Sequence, residues 1–257
     1  MTGSGAGSGK PRAELRGELK IKVKTARKRS HASTLWLERQ LNDPYVAQAK
    51  KDGYRSRAAY KLLEIDERYR ILKPGQRIVD LGAAPGGWSQ IAAKKIGAGK
   101  GRSKIVGIDL LPIDPLAGVQ FEVLDFLDAS APDRLKEMLG GQADVVLSDM
   151  AANTTGHKKT DQLRIIGMVE LAADFACEVL SEGGTFLAKV FQGGTENELL
   201  ATLKKSFASV HHVKPEASRA GSAELYVLAK GFRGATRRHE SREPDEPAGD
   251  WDPRTAV

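Results

Sequence analysis

The stretch RIVDLGAAPGGWSQ, residues 77–90, limits the possible folds more than any other in the chain. A short apolar strand runs straight into a glycine-rich turn and then a helical pattern, the arrangement with which Rossmann-like sheets hold a nucleoside cofactor. Further strands are expected at 104–109 (KIVGID), 119–124 (VQFEVL), 143–149 (ADVVLSD), 184–191 (GTFLAKVF), 209–214 and 224–230 (ELYVLAK). Helical patterns cover 33–46, 56–69 and 160–180; in the second, Ser56 is placed as the N-cap and Ala59, Leu62, Leu63 and Ile65 form an apolar stripe. Strands alternating with helices in this way predict an α/β fold built on a doubly wound sheet, with helices on both faces.

The turn also narrows the ligand. In a dinucleotide fingerprint the second glycine lets a pyrophosphate approach the backbone, but two residues after Gly82 this chain has Ala84. A cofactor without phosphate, such as S-adenosylmethionine, does not need that space, and its carboxylate can still use the positive end of the following helix. An ordinary tight turn between strand and helix accounts for the same residues. The next strand ends at Asp109, where a carboxylate can accept hydrogen bonds from ribose hydroxyls, and the one after it leads to Asp125, suited to an adenine amino group. Each alone reads as a turn former; the series of junctions favours a binding site.

Lysine inside an apolar strand is costly, which draws attention to Lys189 in TFLAKVFQGG. Either it reaches solvent from a strand end, or it is held for chemistry. Asp149 closes its strand and opens a polar loop with His157, Lys158 and Lys159, so Asp149 and Lys189 are expected to face one crevice at the carboxyl edge of the sheet. Glu224 opens the last strand and reaches that edge only if the strand is antiparallel. Lys61, early in a helix packed antiparallel to the first strand, is expected at the same rim.

Charge divides the chain. Nine of the 40 Lys/Arg but only two of the 33 Asp/Glu lie in residues 1–30, so that segment carries the whole net charge of +7 and the remainder is balanced. Residues 1–30 read as a disordered basic arm able to bind nucleic acid through phosphate neutralisation, 31–232 as the folded domain, and 233–257 as a disordered tail. A solubilising extension is the alternative reading of the arm. No apolar run reaches membrane-span length and the N-terminus lacks a secretory apolar block, so a soluble cytoplasmic protein is expected. A single cysteine, Cys177, leaves no internal disulfide, and the five histidines show no metal-ligand spacing, so no metal is expected.

SRAAYKLLEID, VDLGAAPGGWSQ, GIDLLPI, LSDMAANTTG, FLAKVFQGG and SRAGSAELYVLA resemble, in order and spacing, the FtsJ/RrmJ-type ribosomal RNA ribose 2′-O-methyltransferases over residues 31–232. The resemblance implies an S-adenosylmethionine-dependent, Rossmann-like fold with a seven-stranded, mostly parallel sheet and an antiparallel last strand. It assigns a catalytic tetrad to Lys61, Asp149, Lys189 and Glu224, and cofactor contacts to Gly86, Trp88, Asp109, Asp125 and Asp149. It further implies a uridine ribose of large-subunit rRNA as target, the 50S subunit as partner, and a monomer. Ala152 departs from the proline usual after SDMA, and the basic arm exceeds the family's short N-terminus.

On this reading the ribose 2′-oxygen attacks the sulfonium methyl while Lys189 takes its proton. An ordinary lysine, with a pKa of about 10.4, stays protonated at neutral pH; burial and Lys61 act to lower that value, and Asp149 and Glu224 to raise it. Lys50, Lys51, Arg55 and Arg57, with Tyr54 for stacking and Lys158 and Lys159 opposite, are the expected RNA contacts. A nicotinamide-dependent oxidoreductase shares the βαβ pattern, but Ala84 and the tetrad speak against it. A methyltransferase for tRNA or mRNA caps shares the chemistry, and a non-catalytic RNA-binding assembly factor has no need of the tetrad.

Overall fold

The computed structural model describes residues 30–151, 158–191, 197–219 and 221–234, with Lys22 and Thr25. The rest of the basic arm and of the tail, Ala152 and His157 lie outside the described residues, as do the side chains of Lys158 and Lys159. Seven strands form one sheet in the order β3-β2-β1-β4-β5-β7-β6. They are β1 (Arg77–Leu81), β2 (Lys104–Asp109), β3 (Val119–Val123), β4 (Ala143–Ser148), β5 (Leu180–Phe191), β6 (Phe207–Val213) and β7 (Glu224–Phe232). Pairings from β3 to β5 are parallel, whereas β7 is inserted between β5 and β6 antiparallel to both. Chain order therefore reverses between β1 and β4, the position at which open sheets of this kind bind ligands beyond the carboxyl ends of their strands.

Helices cover both faces because the central strands bury both sides. Alongside one face run α3 (Ala58–Tyr69) and α4 (Gly87–Ile96), which share a core with Ile78, Ile105, Val145, Leu187 and Leu228. Against the other pack α5 (Ala131–Leu139), α6 (Lys158–Val179) and α7 (Asn197–Ser206), around Val79, Val106, Val146, Phe186 and Val227. The alternation Ile78/Val79, Ile105/Val106 and Val145/Val146 is the period of two expected of strands buried on both sides.

Three local expectations are corrected. The helix expected over 33–46 is two helices, α1 (His31–Leu41) and α2 (Pro44–Lys51). Asp43, extended as a residue before proline must be, caps α2 through Tyr45 N at 3.1 Å, and Pro44 takes the first helical turn. Ser56 does not cap α3: Arg57 stands at that position without a side-chain cap, and the Ser56 hydroxyl is buried with no hydrogen-bond partner among the described residues. Its carbonyl, not its hydroxyl, starts the helix by accepting from Ala59 N at 3.2 Å. Finally, β5 begins at Leu180, directly after α6, because an irregularity opposite Ala143–Val145 lets Gly183, at φ +79°, carry the chain past β4 and back into register. No helix among the described residues is long and apolar enough to cross a membrane.

Asp66 fastens α3 to its neighbours. One carboxylate oxygen accepts from Leu72 N at 2.8 Å and the other pairs with Lys95 of α4 at 3.0 Å, with the side chain almost wholly buried. Asp66→Ala leaves a buried backbone donor unpaired and is expected to cost about 1–3 kcal/mol, read as a lower midpoint in equilibrium urea unfolding with the slope unchanged.

Candidate active site

Asp149 follows β4 directly, and its backbone N–H donates to Leu81 O at 3.1 Å, which holds it beside the end of β1. The parallel pairing of β4 with β5 brings Lys189 alongside. Its Nζ donates to the Asp149 carbonyl at 2.5 Å and lies 3.2 Å from Asp149 Oδ1. In the antiparallel pairing of β5 with β7, Lys189 stands opposite Tyr226 and Phe191 opposite Glu224. Because β7 runs backwards, its first residue lies at the edge where its parallel neighbours end. Lys61, in the first turn of α3, reaches across to Glu224 with both carboxylate oxygens at 2.7 and 2.8 Å.

The four residues named from the sequence are thus brought into one cluster, and a fifth joins them. Tyr226 accepts from Lys61 Nζ at 3.1 Å and donates to Asp149 Oδ1 at 3.0 Å, making the network continuous from Glu224 to Lys189. Lys61 and Lys189 are 7% and 8% exposed, so these are ion pairs largely removed from water. Burial alone would raise the Glu224 carboxyl, but Lys61, the Ser218 hydroxyl at 2.8 Å and Lys189 more than offset it and hold it below the usual range. The segment before β7 is itself anchored to α3. Glu64 accepts from Ala217 N at 3.0 Å, and Arg57 donates to Ala217 O. Burial raises the Glu64 carboxyl, against the opposing effect of the Ala217 N–H.

The turn between β1 and α4 lies next to this cluster. Gly82, at φ +74°, passes so close to the segment after β4 that a Cβ would sit 2.9 Å from the Met150 backbone. Gly86, at φ +100°, is the N-cap of α4 and provides no side-chain cap, so the first N–H groups of the helix remain available to an anion. Beneath the turn Asp80 is fully buried. Its Oδ2 accepts from Ser89 Oγ at 2.5 Å, while Oδ1 has no partner among the described residues. Burial pushes this carboxyl up to about 7; the Ser89 hydrogen bond opposes the shift, and the charges of Asp149 and Asp109 add to it.

Asp109 Oδ2 accepts from Ala84 N at 3.0 Å and Oδ1 from Leu111 N at 2.9 Å, so it braces the turn and retains acceptor capacity that these bonds do not use. Asp125 is exposed and its Oδ1 accepts from Leu127 N at 2.9 Å. Leu110 and Leu127, beside these carboxylates, are 60% and 57% exposed. Apolar side chains bared next to two strand-end acids suit a flat heterocycle, a feature that sequence reading passed over because isolated leucines read as core. Trp88 is 2% exposed, donates from Nε1 to Ala58 O at 2.9 Å and packs 5.6 Å from the Tyr226 ring, so its side chain supports the site from behind.

The expected RNA contacts separate. Lys50 and Lys51 end α2 and are exposed. Arg55 instead donates to Asp114 O and Pro115 O, both at 2.7 Å, and to Pro85 O at 3.4 Å, which ties the glycine turn to the loop after β2. Arg57 pairs with Asp43 at 3.0 Å, and Tyr54 stacks edge-on against Tyr60 at 5.4 Å. These three side chains are committed within the protein. Among the described residues no group of His, Cys, Asp or Glu is arranged to hold a metal ion.

The arrangement therefore places two lysines and two carboxylates in one hydrogen-bonded cluster beside the glycine turn and the strand-end aspartates. Comparison with known proteins identifies the family. Residues 54–232 match the family described as FtsJ-like methyltransferase. A ribosomal RNA large subunit methyltransferase E from Azorhizobium caulinodans is 64% identical over 239 residues, covering 93% of this chain and 99% of its own. One of the same name from Rhodopseudomonas palustris is 66% identical over 222 residues, covering 86% and 94%. The crystal structure of a ribosomal RNA methyltransferase from Plasmodium falciparum superposes with a TM-score of 0.62 at 34% identity, covering 70% of this chain and all of that one. With the glycine turn, the strand ends and β7 all inside the matched span, the chain belongs to the FtsJ-like methyltransferase family.

Proposed function

We propose that this protein transfers a methyl group from S-adenosylmethionine to the 2′-hydroxyl of a uridine ribose in large-subunit ribosomal RNA, with the assembled 50S subunit as substrate. The observation that carries the proposal is the continuous network from Glu224 through Lys61, Tyr226 and Asp149 to Lys189, at the carboxyl edge beside the glycine turn. The names of the relatives, which specify large-subunit ribosomal RNA, support the choice of substrate.

The site fits the cofactor in three respects. The uncapped start of α4 offers N–H groups to a carboxylate, Asp109 and Asp125 offer acceptors to ribose and adenine, and the unpartnered Asp80 Oδ1 supplies negative charge for an ammonium. When bound, S-adenosylmethionine supplies an electrophilic methyl group on a positively charged sulfur. The protein's part is to present the ribose oxygen in line with that group and to accept its proton. Lys189 is held by two contacts to Asp149; after releasing its own proton to solvent, the neutral amine accepts the hydroxyl proton on its lone pair. Lys61 and Glu224 fix the other side of the ribose site. Much of the acceleration then comes from alignment, so displacements of this network are expensive.

Lys189→Ala is expected to reduce methyl transfer by at least about a thousandfold, with cofactor affinity in isothermal titration within about threefold of wild type. Lys189→Arg keeps the charge but cannot give up a proton, and is expected to be as inactive as the alanine variant; activity in the arginine variant would reduce Lys189 to an orienting role. Mapping ribose methylation across total RNA from a strain lacking the protein is expected to show the loss of one uridine methylation in large-subunit ribosomal RNA. Loss of a tRNA or mRNA methylation instead would overturn the substrate assignment.

Asp80 gives a pH signature. Its folded carboxyl holds a proton up to about 7, whereas the unfolded group releases it near 3.9. The folded state thus binds more protons in that window, and the stability of the ligand-free protein falls as pH rises through it. A bound cation favours the carboxylate, so cofactor binding is expected to release a proton and to tighten as pH approaches 7. Titration calorimetry in buffers of different ionisation enthalpy reads this directly, and Asp80→Asn is expected to abolish both effects.

A further inference from the structure

We infer that Tyr226 is a positioning residue of the reaction: its hydroxyl couples the two lysines through Asp149 and sets how strongly Asp149 holds Lys189. The inference rests on the tetrad reading above and adds a member to it.

The side chain is completely buried, and a buried phenol needs partners for its hydroxyl. It has two, and their chemistry fixes the direction of each bond. An ammonium can only donate and a carboxylate can only accept. Lys61 Nζ therefore donates to the phenol oxygen at 3.1 Å, and the phenol proton goes to Asp149 Oδ1 at 3.0 Å. That oxygen is the one that Lys189 Nζ meets at 3.2 Å. Two donors share it, so the phenol takes up part of the negative charge that otherwise falls wholly on Lys189, and limits the directions in which the carboxylate can turn.

Strand geometry explains why this position serves. Residues two apart in a strand point the same way, so Tyr226 shares a face with Glu224, and its partner across β5 is Lys189. Lys61 of α3 covers that face, with its Nζ 5.6 Å from the Tyr226 ring centroid. The ring is also wedged against Trp88 of α4, which is hydrogen-bonded to the first residue of α3. The helix that follows the glycine turn and the helix that holds Lys61 thus both bear on this ring. The charged groups facing the hydroxyl are Lys61 from α3, Asp149 after β4, Lys189 from β5 and Glu224 from β7, with Asp80 of β1 acting on Asp149; Trp88 of α4 is neutral. Burial and the carboxylates of Asp149 and Glu224 raise the phenol far above its usual range, so it remains a donor at working pH and does not itself exchange the proton.

Tyr226→Phe removes the hydroxyl and retains the ring. We expect kcat to fall about tenfold to a hundredfold, KM for cofactor and RNA to stay within about threefold, and the acidic limb of the kcat profile to move to higher pH because Asp149 is left wholly to Lys189. Replacement of Tyr226 by 3,5-difluorotyrosine, a stronger donor of the same shape, is expected to move that limb to lower pH, and provides the test if the phenylalanine variant folds poorly. Lys189→Ala is measured alongside. An inactive Lys189→Ala with wild-type kcat and pH profile in both Tyr226 variants would overturn this inference and leave the tetrad standing; an active Lys189→Ala would remove the tetrad reading itself. A fall in kcat with no movement of the limb in either variant would also overturn it, since that is the signature of a role in packing alone.

Discussion

The ion pair between Lys61 and Glu224 joins the two parts of the molecule that a parallel sheet alone cannot bring together. Lys61 belongs to a helix that precedes the first strand, and Glu224 to the strand that ends the fold. They meet because β7 runs antiparallel between β5 and β6, which turns its beginning toward the edge where β1, β4 and β5 end. Were β7 parallel, its opening residue would lie at the opposite edge, at the far end of a strand of nine residues. The reversal of one strand is therefore what closes the site, and the ion pair is the contact through which that reversal acts on the chemistry.

Buried charges of this kind have to be held from several sides, since breaking such a pair leaves an uncompensated charge. The same helix supplies much of the hold. Lys61 and Glu64 lie three residues apart on one side of α3, one gripping Glu224 and the other the backbone of Ala217 in the segment that leads to it. Ser218, next in that segment, takes the remaining capacity of Glu224. Around them the contacts are apolar, with Leu62, Ile65, Leu187 and Leu228 in the same core. Water is excluded from the back of the network while its front faces the crevice, so each hydrogen bond is stronger and each misplaced one more costly than on an open surface.

Much of this was legible in the sequence because it departs from an apolar background. Lys189 stands out inside a strand of hydrophobic residues, and Asp109 and Asp149 at the ends of such strands; six ordered motifs then located Lys61 and Glu224. The strands themselves were legible for the same reason, their bounds differing mainly where β5 begins early. What escaped was what tertiary contact decides. Tyr226 reads as an ordinary core aromatic, since nothing local says that its hydroxyl lies between an ammonium and a carboxylate. Ser56 has the letter of an N-cap but not its backbone position, and Arg55 and Arg57 look like free cations until the carbonyls and Asp43 that bind them are folded alongside. The split at Pro44 was legible in principle, because Asp-Pro starts a helix more readily than it continues one.

The distribution of charge around the crevice has a consequence for turnover in the proposed reaction. Asp109, Asp125 and Asp149 stand at or just beyond three strand ends, with the Asp80 carboxyl of β1 ready to ionise beside a bound cation, whereas the positive charge of Lys61 and Lys189 is taken up by Glu224 and Asp149. The pocket behind the lysines is thus net acidic, which favours a cofactor bearing both a sulfonium and an ammonium. Loss of the methyl group would leave an uncharged sulfur, so this acidic pocket would hold the product less strongly than the cofactor. The same carboxylates repel RNA phosphate. Attraction for the substrate must therefore come from outside the pocket, and residues 31 onward carry no net charge to provide it at long range. Exposed groups at the rim, such as Lys50 and Lys51, add two positive charges close to the site, and like every exposed charge they act over about 8 Å at physiological salt. On the proposed reading, the segment before residue 31, which holds the entire excess of positive charge, has the composition to draw in a polyanion.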